Sequence, residues 1–142
     1  MKKLFLDSGP LIARINSMDP NNAIVMKALQ SIKVRIPGRP AYSGLATSNY
    51  IIDESVTHVL YDTGRHEMAV KVLELIESSN LIQVLWIDEK IEHRAREIFR
   101  KYYDQTFSFT DCTSFALMER EEIDTAFTFD QHFRILNFTI IP

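Results

Sequence analysis

The sequence predicts an α/β fold, with a parallel-rich sheet flanked by helices. Three observations carry that expectation. Short apolar runs alternate with longer segments of helical periodicity. Turn and capping residues punctuate the boundaries between them. Two of the apolar runs, Leu4-Phe5-Leu6 and Ala126-Phe127-Thr128-Phe129, end on an acid, Asp7 and Asp130. Ligands of open α/β sheets sit beyond the carboxyl ends of the strands, so acids at those ends are candidate site residues.

Lys3 to Asp7 reads as a buried strand, with Ser8-Gly9-Pro10 as the turn behind it and Leu11 to Ile15 as a short helix. Asp19-Pro20 reads as a helix start, Asp as the N-cap and Pro in the first position. Val25, Ala28, Leu29 and Ile32 then form a helical stripe. Pro37-Gly38-Arg39-Pro40 is the strongest loop signal. A long helix is expected from about Thr47 to Tyr61, with Ile52, Val56, Val59 and Leu60 as its apolar stripe and Thr63-Gly64 as its stop. A second, from Arg65 to Ser78, carries Met68, Ala69, Val72, Leu73 and Ile76.

Leu81 to Trp86 is strand-like. Asp88 caps a helix to about Tyr103, with Ile91, Ala95, Ile98 and Phe99 inward and Trp86 in the core. Ser108 opens a helix centred on Phe115 to Met118. Thr125 to Phe129 reads as a strand, Asp130 to Leu136 as a short helix and Phe138 to Ile141 as a last strand.

A length of 142 residues fits one domain, residues 1–142. With 46% hydrophobic and 25% charged residues, the composition excludes a disordered chain and a collagen-like repeat. The formal charge of -3 excludes a whole-protein basic field, so nucleic-acid contact would need a local patch. Candidate cations are Lys33, Arg35 and Arg39 around the Pro-Gly loop, and Arg94, Arg96, Arg100 and Lys101 on one helix, interleaved with Glu92 and Glu97. The single cysteine, Cys112, excludes an internal disulfide and a Cys-based zinc cluster. No apolar run reaches the roughly 20 residues of a membrane span, and Asp7 cuts the N-terminal run short of a signal sequence. A cytoplasmic chain is expected.

Four acids stand out: Asp7, Glu54, Asp111 and Asp130. Each has a purely local explanation. Asp7 and Asp130 suit helix caps, Asp53-Glu54 suits a solvated face, and Ser108-Phe109-Thr110-Asp111 matches a capping box. For Asp111 the two roles are compatible, since a carboxylate has two oxygens. As a set they say more. Four carboxylates at one sheet edge repel each other unless a cation neutralises them, and hard oxygen ligands select Mg²⁺ or Mn²⁺. Such a site can hydrolyse a phosphodiester without a side-chain nucleophile. His58 and His132 read as surface histidines, and Cys112 as a small packed residue.

Four blocks resemble those of PIN-domain ribonucleases, a family that includes the toxins of prokaryotic toxin–antitoxin pairs. They are Leu4 to Pro10, Thr47 to Glu54, Ser108 to Phe115 and Thr128 to Phe133, in order and spread along the chain. The resemblance implies a three-layer α/β/α sandwich with a mostly parallel central sheet and an acidic site that uses a divalent metal to cut RNA. It assigns the site to Asp7, Glu54, Asp111 and Asp130, with the hydroxyls of Ser8 and Thr128 in support. It also implies a cognate antitoxin and a homodimer, for which the apolar face of the Arg65–Ser78 helix is the candidate surface. The competing function is a catalytically silent module of the same fold that binds RNA or protein. A haloacid-dehalogenase phosphatase is disfavoured by Gly9 where a second Asp is needed, and a receiver by the lack of an acid beside Asp7.

Overall fold

The computed structural model describes residues 2–33, 37 and 41–142. Five strands form one sheet: β1 (Lys2–Leu6), β2 (Tyr42–Ser48), β3 (Ile82–Leu85), β4 (Thr125–Phe127) and β5 (Thr139–Ile141). The order is β3-β2-β1-β4-β5 and every pair is parallel. The helices are α1 (Ser8–Ile15), α2 (Asn22–Lys33), α3 (Asn49–Thr63), α4 (His66–Ser78), α5 (Glu89–Lys101), α6 (Phe109–Arg120) and α7 (His132–Ile135).

The chain steps from β1 outward to β3, then returns across the sheet to β4 and β5. Right-handed crossovers therefore place the helices before β3 on one face and those after it on the other. The contacts agree: α1 to α4 pack among themselves, and α5 packs on α6. The result is a three-layer α/β/α sandwich. Its strand order reverses between β1 and β4, which opens a crevice at their carboxyl ends. Leu4, Phe5, Ala126 and Phe127 are wholly buried in the middle layer. Phe115 of α6 and Phe133 of α7 meet edge to face, 4.9 Å between centroids, and hold the outer helices to the sheet.

Most elements lie where the sequence places them. Gly64 ends α3 in the left-handed conformation, φ 64°, Asp88 caps α5, and Ser108 caps α6. Five expectations need correction. The strand β2 was not foreseen, and Thr47 and Ser48 belong to it rather than to the helix. It has no continuous apolar run, and its buried hydroxyls find partners in the fold: Thr47 donates to the Leu6 carbonyl at 2.9 Å, and Ser48 accepts from the Ile51 amide at 3.1 Å. Ser8-Gly9-Pro10 is the first turn of α1, not a turn before it. Asp19 closes a turn on Asn21, so α2 begins only at Asn22. The buried line of α3 is Ile51, Ser55 and Val59, one step round from the expected stripe. Trp86, just past the edge strand β3, is 70% exposed, and Phe99 on α5 is 50% exposed, so neither is core. Of the Pro-Gly loop, Gly38 to Pro40 lie outside the described residues. No helix among those described is long and apolar enough to cross a membrane.

Gly44 sits in β2 where a Cβ would meet the Leu81 carbonyl oxygen at 2.9 Å, the same oxygen that accepts the Leu45 amide at 2.7 Å. Gly44→Ala should displace that carbonyl and cost about 1–3 kcal/mol, the usual effect of overpacking. Urea unfolding checks it; an unchanged midpoint would mean that β3 yields freely.

Candidate active site

The crevice at the switch point is built from residues that end β1 and β4 and open α1 and α6. The Asp7 amide donates to the Phe127 carbonyl at 3.1 Å, which ties the end of β1 to the end of β4. Asp7 also caps α1, taking the Ser8 amide at 2.8 Å on Oδ1, and its Oδ2 accepts the Thr128 hydroxyl at 2.6 Å. The Thr128 oxygen in turn accepts the Asp130 amide at 3.0 Å. One hydroxyl thus fixes Asp7 and the loop that presents Asp130. Ser8 donates its hydroxyl to Glu54 Oε1 at 2.5 Å, which brings the mid-helix acid of α3 to the same place.

Asp111 arrives from α6 through the capping box. Its amide donates to Ser108 Oγ at 3.0 Å, and its Oδ2 accepts the Ser108 amide at 3.0 Å. Among the described residues its Oδ1 takes no hydrogen bond. Cap and site role therefore coexist geometrically.

The four predicted acids come together: Ser8 links Asp7 to Glu54, Thr128 links Asp7 to the Asp130 loop, and Asp111 and Asp130 offer ligand atoms within 4.8 Å of each other. Asp7 is only 7% exposed. Burial pushes its carboxyl up to about 6; the bonds from Thr128 and Ser8 oppose that rise, and the charges of Asp111 and Glu54 add to it. Burial also raises Asp111, with Asp130 and Glu54 contributing repulsion against the pull of Ser108. Among the described residues no lysine or arginine pairs with Asp7, Glu54, Asp111 or Asp130. Asp53, the neighbour of Glu54, faces solvent.

His132 is the residue that sequence reasoning undervalued. Its Nδ1 lies 3.1 Å from Asp130 Oδ1, and its amide donates to the same oxygen at 2.9 Å. Ligand atoms of Asp111, Asp130 and His132 all lie within 4.8 Å of one another. The available signal was its place two residues after Asp130, where an Asx turn folds the ring back onto the acid. His58 is exposed on α3, one turn beyond Glu54. Cys112 is fully buried, and burial pushes its thiol up to about 11, which excludes it as a nucleophile.

The donor set fits a small hard cation. It offers carboxylate oxygens from four places in the fold, one imidazole, and negative charge that no lysine or arginine among the described residues offsets. A model of the PIN domain family matches residues 4–138.

The chain belongs to the PIN domain family.

Among its relatives is the 23S rRNA-specific endonuclease VapC20 of Mycobacterium tuberculosis. The two are 32% identical over 92 residues, which is 65% of this chain and 69% of that protein. A VapC ribonuclease of Archaeoglobus fulgidus is 32% identical over 76 residues, 53% of this chain and 47% of that one. The crystal structure of M. tuberculosis VapC20, described as a sarcin–ricin loop cleaving toxin, superposes with a TM-score of 0.82 at 26% identity over 96% of each chain. The sheet and helix order of this PIN domain are thus shared with that toxin across nearly its whole length.

The capping box and the acid role of Asp111 separate experimentally. If Asp111 only caps, Asp111→Asn should cost about 1 kcal/mol of stability and leave activity nearly intact. If it serves the acid site, stability should hold or rise as repulsion is relieved, while activity collapses. Unfolding and cleavage on the same variant distinguish the two.

Proposed function

We propose that this PIN domain, spanning residues 1–142, is a divalent-metal-dependent endoribonuclease acting as the toxin of a toxin–antitoxin pair in the cytoplasm. One observation carries the reading: Asp7, Glu54, Asp111 and Asp130 converge at the switch point, and among the described residues no lysine or arginine pairs with them. The likeness to VapC20, whose name describes cleavage of 23S rRNA, supports RNA as the substrate class.

Asp7, Glu54, Asp111 and Asp130 would hold Mg²⁺ or Mn²⁺, with His132 at the edge of the set. When bound, the cation offsets phosphate charge and activates a water for in-line hydrolysis. The chain's own part is orientation. Thr128 and Ser8 fix both oxygens of Asp7, so its carboxylate needs no rearrangement before it acts. Ser108 fixes one oxygen of Asp111 and, among the described residues, leaves the other without a hydrogen bond. Ser8 also holds Glu54 through its hydroxyl, so one residue steadies two acids, Asp7 by its amide and Glu54 by its side chain.

A cognate antitoxin protein is part of the proposal, as is a homodimer. The face of α4 that suggested the dimer is occupied within the chain by Met68, Ala69, Val72 and Ile76. Ile24, Met26 and Leu73 remain as exposed apolar residues for a second copy. Light scattering that gives a monomer at micromolar concentration would remove the dimer.

The reaction is tested on a panel of RNA hairpins and duplexes with mapped product ends. Internal cuts in unpaired loops are expected, since splayed bases and accessible phosphates enter a narrow site more easily than a stiff duplex. No cuts across the whole panel would favour the silent binding module.

A further inference from the structure

The C-terminal end of α5 carries an aromatic and basic surface that the acid site does not use. A groove of about 310 Å³ is lined by Phe99, Arg100, Tyr102, Tyr103, Gln105 and Phe107. That volume lies at the small end of ligand sites, about 300–1,000 Å³. Tyr103 is 89% exposed and Phe99 is 50% exposed, a large desolvation debt for two aromatic rings. Tyr102 and Phe107 back them, 5.5 Å apart between centroids.

Charge separates this end of α5 from the rest of the helix. Arg94 pairs with Glu97 and Glu119, and Arg96 pairs with Glu92. Arg100 and Lys101 have no acidic partner among the described residues, and the Lys101 ammonium lies 5.4 Å from the centre of the Tyr102 ring. Two unpaired cations beside exposed rings match a polyanion that carries flat aromatic groups. The groove also adjoins the acid site. Phe107 lines it and meets the His132 ring edge-on at 5.2 Å, and His132 is bonded to Asp130. The next residue, Ser108, holds Asp111.

We propose that this groove is a base-stacking subsite: an unpaired RNA base near the scissile phosphate stacks on Tyr103 and Phe99, while Arg100 and Lys101 hold the flanking backbone phosphates. The inference rests on the ribonuclease reading above and names where the substrate extends from the acids. Stacking tolerates any base, because every base has a π-face. The subsite therefore selects unpaired over paired RNA rather than one sequence over another. A duplex keeps its bases stacked on each other and has none to offer.

The test uses an RNA hairpin with 2-aminopurine in its loop, whose fluorescence falls when the base stacks. Binding is followed in Ca²⁺, and cleavage of the unlabelled hairpin in Mn²⁺. The wild-type chain should quench the probe. The Phe99→Ala/Tyr103→Ala variant, altered at exposed positions, should quench little and bind about tenfold more weakly. Arg100→Gln/Lys101→Gln should lower the salt dependence of binding by roughly 0.7 log units per cation removed. If the double-alanine variant binds and quenches like wild type while wild type cleaves, the subsite is wrong and the ribonuclease reading survives. If wild type binds and quenches but never cleaves, the ribonuclease reading fails and the subsite stands. If wild type neither binds nor cleaves, both fail.

Discussion

Asp7→Asn should lose RNA cleavage by well over tenfold and, at neutral pH, unfold at a higher denaturant concentration than the wild-type chain. The two effects have one origin. Asp7 is buried at the end of β1 with its carboxyl raised from 3.8 to about 6, chiefly by burial. The folded state therefore holds this proton more tightly than the unfolded state. Stability falls as pH rises from about 4 to about 6, and above 6 the full penalty of roughly 3 kcal/mol is present.

Asparagine does not ionise, so it escapes that penalty. It keeps one carbonyl to accept the Ser8 amide, and the Thr128 hydroxyl can turn to accept from the new NH₂. Allowing about 1 kcal/mol for imperfect replacement leaves a net gain of about 2 kcal/mol. Near pH 4, where the wild-type carboxyl is protonated in the fold, the gain should reverse to a loss of up to about 1 kcal/mol, the cost of imperfect replacement. Cleavage should suffer because a neutral amide is a poor partner for a cation. Loss of a group that merely supports a metal ligand costs roughly 10–100-fold, and a ligand itself should cost at least that. Urea titrations at pH 4 and pH 7.5 without divalent metal, beside cleavage assays, check both halves. Equal stability at pH 7.5 would show that Asp7 is not the strained group; equal cleavage would point to a contaminating nuclease.

Removal of divalent metal is the second large effect. EDTA should abolish cleavage, because without cations the acids repel the phosphate they act on. Mg²⁺ or Mn²⁺ should restore it. Ca²⁺ should restore binding more than turnover, since its looser coordination positions water less well. An independent readout exists in the fold. A cation bound only by the native state stabilises it by about 2.7 kcal/mol at a hundred times its dissociation constant. Mn²⁺ should therefore raise the wild-type unfolding midpoint and raise that of Asp7→Asn much less. Cleavage indifferent to EDTA, or equal Mn²⁺ shifts for both proteins, would remove the metal from the reading.

Much of this was legible in the residues alone. The apolar runs ending at Asp7 and Asp130 gave away two strands and two acids, because buried parallel strands leave a clear sequence trace and the acid at the end breaks it. Ser108 and Asp111 announced α6 through a local hydrogen-bonding pattern that needs no tertiary information. Gly64 marked the end of α3 for the same reason: its backbone conformation is a property of one residue. Family blocks then placed Glu54, which no local signal distinguishes from Asp53.

Other features existed only once the chain had folded. The central strand β2 hides its burial behind hydroxyls whose partners are Leu6 and Ile51, so its polarity misleads any reading by pattern. Which face of α3 turns inward depends on how α1, α4 and α6 meet it. Trp86 and Phe99 look like core residues until the edge strand and the outer helix leave them in water. His132 joins the acids through a two-residue turn onto Asp130, which its spacing hints at, and a ring contact with Phe107, which spacing does not reveal. The sequence by itself determined which elements form and which acids are present, because caps, periodicity and turn chemistry act over a few residues. Only the tertiary structure decided which groups share an environment. Asp7 owes its raised carboxyl to burial and to charges brought from two distant helices, and those are set by the sheet's reversal at β1 and β4.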